Sequence, residues 1–162
     1  MKAVNNALNI SHLLMASEGL AALKNFGVEP DVALRCINAS SGRSLQTEVR
    51  LPTEVLTGKF GYGFAIALMR KDVRIANALM EGYYCADSAA GEEGGAAAPA
   101  PTYFAHTKAC LEEATAGMDG TADYTTAVKL IERRAGVELR TQKAVVESRR
   151  HKSEVRCSSV NL

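Results

Sequence analysis

Three polar side chains near the start of the chain have the spacing of neighbours on a helix. Lys2, Asn6 and Asn9 follow one another at intervals of four and three residues, which places them on one helical face. An ammonium group and a carboxamide one turn apart could bind an oxygen-bearing ligand, because both can donate hydrogen bonds to it. The same spacing also fits polar groups that are simply solvated at a helix end. Spacing alone leaves both interpretations open.

A second group of candidate residues lies in the middle of the chain. Lys71 follows Phe64 by seven residues, which is close to two helical turns, and Asp72 is its neighbour. If this segment is helical throughout, Phe64 and Lys71 share nearly the same face. A core aromatic beside a surface salt bridge would also explain these residues. Neither group of polar residues is specific when taken by itself.

Helices must position these residues, because the apolar side chains recur with helical periodicity. The first helix is predicted from Ala3 to Phe26, and its apolar positions on more than one side indicate that it is largely buried. Further helical segments are predicted over Asp31–Asn38, Leu45–Leu51, Ala65–Met80, Thr102–Met118 and Tyr124–Arg134, with another short piece between Pro52 and Gly58. Sustained alternation of the kind that marks a strand is missing from the sequence, so the predicted fold class is all-α.

Changes in composition predict the domain organisation. Residues 1–135 are predicted to form one helical domain, interrupted at residues 86–101 by a low-complexity loop rich in Gly, Ala and Pro. Residues 136–162 carry many basic and fewer acidic side chains. We therefore expect a basic, solvated C-terminal tail there.

Overall composition excludes several classes of protein. The 162 residues include 19 basic and 18 acidic side chains, a net charge of +1, so we expect no nucleic-acid partner. We also expect no membrane association, because no apolar run approaches the roughly 20 residues of a spanning helix. The four cysteines and three histidines lack metal-ligand spacing, so we expect no metal site. The N-terminus does not resemble a secretory signal, which predicts reduced thiols. Without a targeting segment, we expect an intracellular protein of the cytoplasm or mitochondrial matrix.

Several short motifs, in a fixed order, resemble the C-terminal domain of the β-hydroxyacid dehydrogenases. They are KAVNN at Lys2–Asn6, EGLA at Glu18–Ala21, FGV at Phe26–Val28, NASSGRS at Asn38–Ser44 and GFAIALMRKD at Gly63–Asp72. A weaker match follows at Gly117–Arg134. Within the family, the sequence is most similar to the 3-hydroxyisobutyrate dehydrogenase group. The resemblance implies a helical bundle like the 6-phosphogluconate dehydrogenase-like C-terminal domain.

The resemblance also implies a role for individual residues. Lys2 matches the family's catalytic lysine, and Asn6 matches its substrate-contacting asparagine. Phe64 and Asp72 match residues that line the substrate site, while Lys71 matches a lysine beside the nicotinamide nucleotide. The implied reaction is hydride transfer between NAD or NADP and a short 3-hydroxy acid. A homo-oligomer is the implied assembly.

One feature of the family does not occur in this sequence. The Gly-x-Gly-x-x-Gly turn that binds pyrophosphate in a Rossmann domain is missing. We therefore expect an N-terminally truncated part of a dehydrogenase, inactive without its nucleotide-binding domain. The alternative is a non-enzymatic helical dimerisation or interaction domain derived from that family.

Overall fold

The structure, a computed structural model, describes residues 1–83 and 102–141. Its elements are α1 (Lys2–Asn25), α2 (Pro30–Asn38), a π-helix (Gln46–Val55), α3 (Ile66–Tyr83), α4 (Tyr103–Ala114), a 3-10 turn (Tyr124–Ala127) and α5 (Val128–Ala135). Within these ranges, extended residues pair only in an isolated bridge between Ala65 and Asp123. The predicted all-α fold class is confirmed. The predicted loop at residues 86–101 lies outside the described residues.

Helix α1 is the central element of the domain. It packs against α2, the π-helix, α3, α4 and α5. Its buried side chains point to several sides, as predicted, and include Ala7, Ile10, Leu13, Leu14, Ser17, Leu20 and Ala21. Full burial of a large aliphatic side chain such as Leu13 stabilises the fold by about 1.5–3 kcal/mol. These contacts hold the polar first turns of α1 against α3.

Local sequence signals account for several helix ends. Pro30 occupies the first position of α2, where its missing N–H costs nothing. Gly136 ends α5 in the left-handed conformation, with φ of 68°. Helix α4 ends at Ala114 rather than at the predicted Met118. The segment between these two residues turns instead, and Gly117 adopts a φ of 75° there.

The two short helices predicted on either side of Pro52 form one continuous π-helix. Leu56 N–H donates to the Leu51 carbonyl, five residues earlier, at 2.9 Å. In an α-helix, the ring of Pro52 would clash with the carbonyl four residues before it. The wider π-turn accommodates Pro52 inside the helix. The predicted break at this proline is therefore wrong.

The first residues of the predicted C-terminal tail pack against the helical domain. Leu139 is completely buried, and its N–H donates to the Glu132 carboxylate at 2.7 Å. Lys24 donates to the carbonyl groups of Glu138 and Arg140, at 2.5 and 3.2 Å. Residues 136–141 thus belong to the packed domain, and residues 142–162 lie outside the described part of the chain.

Candidate functional site

A buried carboxylate forms the centre of the candidate site. Asp72 lies on the inner face of α3, and only 3% of its surface is exposed. Apolar α3 residues surround it on this face, among them Met69 and Val73. Because an isolated charge is costly to bury, a carboxylate at this position requires hydrogen-bonding or cationic partners.

Two residues in the first turns of α1 supply partners from across the helix interface. Asn6 Nδ2 donates to Asp72 Oδ2 at 2.7 Å, a strong hydrogen bond because the acceptor is ionised. Lys2 Nζ lies 4.0 Å from the same oxygen. The predicted helical face of α1 therefore points at Asp72 through its first two polar residues.

Lys71 approaches the other oxygen of the same carboxylate. Its Nζ lies 3.4 Å from Asp72 Oδ1. The side chains of Lys71 and Lys2 are 57% and 75% exposed, whereas that of Asp72 is 4% exposed. Two ammonium groups thus reach the solvent around one buried carboxylate. This small site keeps an excess positive charge that can attract an anion.

The surroundings of Asp72 hold its carboxyl group in the charged form. Burial by itself raises the pKa of Asp72. The hydrogen bond from Asn6, the hydrogen bond and charge of Lys71, and the charge of Lys2 together outweigh burial and lower this pKa below its usual value. The site therefore contains a carboxylate, rather than a carboxylic acid, at neutral pH.

Asn9 shares the polar face of α1 but has a different partner. Its side-chain oxygen accepts a hydrogen bond from the amide of Gln46, the first residue of the π-helix. Gln46 is 1% exposed, and its own side-chain oxygen is buried without a hydrogen-bond partner in the described structure. Gln46 is not among the predicted site residues, because no sequence pattern distinguishes a buried glutamine from an exposed one.

Phe64 makes a separate set of contacts in the loop before α3. Since α3 begins at Ile66, the argument that Phe64 shares a helical face with Lys71 is wrong. The Phe64 ring packs edge-on against Tyr124, with the ring centroids 6.0 Å apart. The structure thus brings three of the five predicted residues to the carboxylate of the fourth, Asp72, and places Phe64 in an aromatic cluster.

The aromatic cluster consists of Tyr62, Phe64 and Tyr124, with Arg50 beside it. Tyr62 also packs edge-on against Tyr124, at 5.8 Å between centroids. The Arg50 guanidinium lies 3.5 Å from the centre of the Tyr62 ring, a cation–π arrangement. Burial raises the pKa of Tyr124 to about 12, although the nearby Arg50 opposes this effect. Tyr124 therefore remains a neutral phenol at physiological pH.

Comparison with known proteins identifies the family of this domain. Residues 1–131 match the family model described as the NAD-binding domain of NADP-dependent 3-hydroxyisobutyrate dehydrogenase. The chain belongs to this family. The predicted resemblance to the β-hydroxyacid dehydrogenases is confirmed, as is the helical C-terminal domain that it implied.

One curated relative is similar to part of the chain. This is 2-(hydroxymethyl)glutarate dehydrogenase of Eubacterium barkeri, which is 33% identical over 76 residues. The match covers 47% of this chain and 25% of the relative. The dehydrogenase family is thus supported by two comparisons, and the match spans about a quarter of the length of this relative.

None of the helices within residues 1–83 and 102–141 combines the length and the apolar character that crossing a bilayer requires.

Proposed function

We propose that this chain is the catalytic and dimerisation part of an NAD(P)-dependent dehydrogenase that acts on a short 3-hydroxy acid. The observation that supports this proposal most strongly is the convergence of Lys2, Asn6 and Lys71 on the buried carboxylate of Asp72. These four residues come from two segments that match the family's site motifs. A solvated helix end would not need a buried counter-charge.

Lys2 is the proposed acid–base residue. When the hydroxy acid is oxidised, the Lys2 amine accepts the proton of the substrate hydroxyl as hydride leaves the carbon that bears this hydroxyl. In the reverse direction, the ammonium returns that proton to the carbonyl oxygen. The Lys2 side chain is 75% exposed and can reach a ligand outside the protein core. The Asp72 carboxylate lies buried beneath the exposed Lys2 ammonium group, 4.0 Å away, and does not block access to it.

Asn6 and Asp72 are proposed to organise the substrate side of the site. The side chain of Asn6 is only half-buried, so its oxygen remains available to accept a hydrogen bond from a substrate hydroxyl. Asp72 fixes the Asn6 amide and balances one of the two ammonium groups. While Lys2 is in its ammonium form, one positive charge remains and attracts the substrate carboxylate.

Lys71 is proposed to contact the nicotinamide nucleotide, which supplies the hydride acceptor or donor when it is bound. The side chain is exposed, so further donors on its ammonium group are free for ribose or phosphate oxygens. A shallow depression of about 370 Å³ includes Lys71 together with Arg70 and Arg74. This cationic surface fits one end of an anionic nucleotide. Among the described residues there is no glycine-rich phosphate loop, so a nucleotide-binding domain must complete the cofactor site.

The proposed substrate class has two members that can be compared directly. The names 3-hydroxyisobutyrate and 2-(hydroxymethyl)glutarate both describe a carboxylate whose neighbouring carbon bears a hydroxymethyl group. They differ in the second carboxylate of the glutarate. Assaying both acids with NAD and with NADP would identify the preferred substrate and cofactor.

The decisive experiment joins this chain to the nucleotide-binding domain and tests Lys2→Ala. We expect hydroxy-acid oxidation to fall by at least about a hundredfold, since general acid–base groups contribute roughly 10²–10⁴-fold. Lys24→Ala is the matched control, because this lysine lies at the opposite end of α1. The chain by itself should be inactive. Full activity of Lys2→Ala would disprove the assignment, and oxidation by the isolated chain would disprove the need for a second domain.

A non-enzymatic interaction domain is the second candidate function, and one observation favours it. Leu68, Ile75 and Leu79 are spaced by seven and four residues on α3 and are 47%, 48% and 38% exposed. Such an exposed apolar stripe is typical of an interaction surface. The proposed homo-oligomer would bury it, so sedimentation velocity should show a dimer that Ile75→Glu dissociates. Ala109→Glu, at an exposed position of α4, is the control.

A further inference from the structure

The side chain of Asp123 connects two segments that lie sixty residues apart in sequence. Its Oδ2 atom accepts hydrogen bonds from the backbone N–H groups of Gly63 and Phe64, at 2.7 and 3.2 Å. Its Oδ1 atom accepts from the N–H and the hydroxyl of Thr125, at 3.0 and 2.5 Å. One carboxylate therefore fastens the loop before α3 to the 3-10 turn.

The loop needs such a partner because its backbone is not part of a helix. Gly63 adopts a φ of 97°, a conformation that favours glycine and cannot continue into α3. Phe64 follows it, and its carbonyl accepts from Tyr124 N–H at 2.9 Å. Ile66 N–H donates to the Ala122 carbonyl at 2.7 Å. The entry into α3 is thus fixed by the residues on both sides of Asp123.

These backbone contacts also determine where an aromatic side chain is placed. Phe64 N–H is bound by Asp123 and the Phe64 carbonyl by Tyr124 N–H, which keeps the Phe64 backbone beside Tyr124, where its ring packs edge-on. The same backbone leads directly into α3, which carries Lys71 and Asp72. A change at Asp123 would therefore be transmitted to Phe64 first.

We propose that Asp123 is a positioning residue for the candidate substrate site. The Asp123 carboxylate fixes the backbone of Gly63 and Phe64, and this backbone in turn positions the Phe64 ring. Asp123 acts through Phe64 and contacts no reacting atom. This inference rests on the proposed function, to which we add that Phe64 lines the substrate site, as the family resemblance implies.

A different carboxylate, that of Glu54, holds the other end of the same loop. Glu54 is 7% exposed, and its Oε2 atom accepts from Gly61 N–H at 2.9 Å. Its backbone carbonyl accepts from Phe60 N–H at 3.1 Å. Glu54 therefore orders the beginning of the loop, whereas Asp123 orders the end that carries Phe64.

Amide hydrogen exchange in the 162-residue chain tests the positioning directly. We expect Asp123→Ala to accelerate exchange at Gly63 and Phe64 by roughly ten- to a hundredfold, because each N–H loses a charged acceptor. The control is Thr125→Val, which keeps the Asp123 carboxylate and should leave both amides protected. If Asp123→Ala does not fold, Asp123→Asn is the second variant: its neutral amide oxygen is a weaker acceptor than a carboxylate, so we expect a smaller acceleration of exchange at Gly63 and Phe64.

Kinetics in the assembled dehydrogenase test the consequence for the site. We expect Asp123→Ala to raise the KM for the hydroxy acid by roughly tenfold while kcat falls less, since a displaced Phe64 weakens binding rather than proton transfer. Unchanged exchange at Gly63 and Phe64 would overturn the positioning role. Faster exchange with an unchanged KM would overturn the link to the substrate site. A wild-type assembly that oxidises no hydroxy acid would refute the proposed function instead, and exchange would still decide the positioning role.

Discussion

Removing the carboxylate of Asp72 should destabilise the domain in a way that depends on pH. Asp72→Ala deletes a charged hydrogen bond with Asn6, which contributes about 1.5–3 kcal/mol. It also deletes two ion pairs with exposed lysines, and solvent screening limits each of these to about 0–1 kcal/mol. The Asp72 desolvation cost, which disappears in the variant, offsets part of this sum. We therefore expect the free energy of unfolding to fall by about 2–3 kcal/mol at pH 7.

The sign of the pH dependence follows from the lowered pKa of Asp72. A group whose pKa is lower in the folded state stabilises the fold above its unfolded pKa, which is about 3.9 for Asp. That stabilisation is lost as the pH falls through the folded pKa. The difference between wild type and Asp72→Ala should therefore be complete near neutral pH and shrink steadily below about pH 4.

Urea denaturation followed by circular dichroism, repeated from pH 7 to pH 3, measures this difference. Asp31→Ala is the matched control, because Asp31 pairs with Arg35 at 2.9 Å but its side chain is 46% exposed. We expect that variant to lose less than about 1 kcal/mol. Equal losses in the two variants at pH 7, or a constant Asp72→Ala deficit down to pH 3, would refute the argument that burial makes the Asp72 contacts valuable.

Two further predictions concern the end of the described chain. Leu139→Ala should lower the free energy of unfolding by about 2–5 kcal/mol, because it leaves a cavity at a completely buried position. A loss below about 1 kcal/mol in the same urea assay would mean that residues 136–141 are solvated. Gly136→Ala should lower the free energy of unfolding by about 1–2 kcal/mol, because a φ of 68° strains any residue with a Cβ, although no atom lies within 4 Å of the added carbon. An unchanged Tm in thermal unfolding would contradict the left-handed helix end.

The helices could be predicted from sequence where local interactions determine them. Pro30 at the start of α2 and Gly136 at the end of α5 act through their own backbone preferences. These preferences belong to the residue type and can therefore be recognised in the sequence. The π-helix could not be predicted in this way, because the local rule for Pro52 assumes an α-helix. Gln46 and Glu54 of this helix are buried, so its surroundings include contacts with the rest of the domain that a local rule does not contain.

The candidate site shows the same division between local and long-range interactions. The spacing of Lys2 and Asn6 predicts a shared helical face, and the structure places both side chains near the same carboxylate oxygen. By contrast, the prediction that Phe64 and Lys71 share a helical face is wrong, because α3 begins only at Ile66. Hydrogen bonds to Asp123, far away in sequence, fix the loop that leads into this helix.

The all-α class, the family and the polar face of α1 can be predicted from the order of the amino acids, because helical periodicity and ordered motifs are visible along the chain. The burial of Asp72, with Asn6 and two lysines around it, is visible only in the folded domain, since the sequence also fits a surface salt bridge. The hydrogen bonds by which Asp123 holds the Phe64 loop likewise depend on packing. The hydrogen bonds from Asn6 to Asp72 and from Phe64 to Asp123 join residues that are 66 and 59 positions apart. They form only when α1, α3 and the 3-10 turn pack together, and they set the charge and geometry of the site.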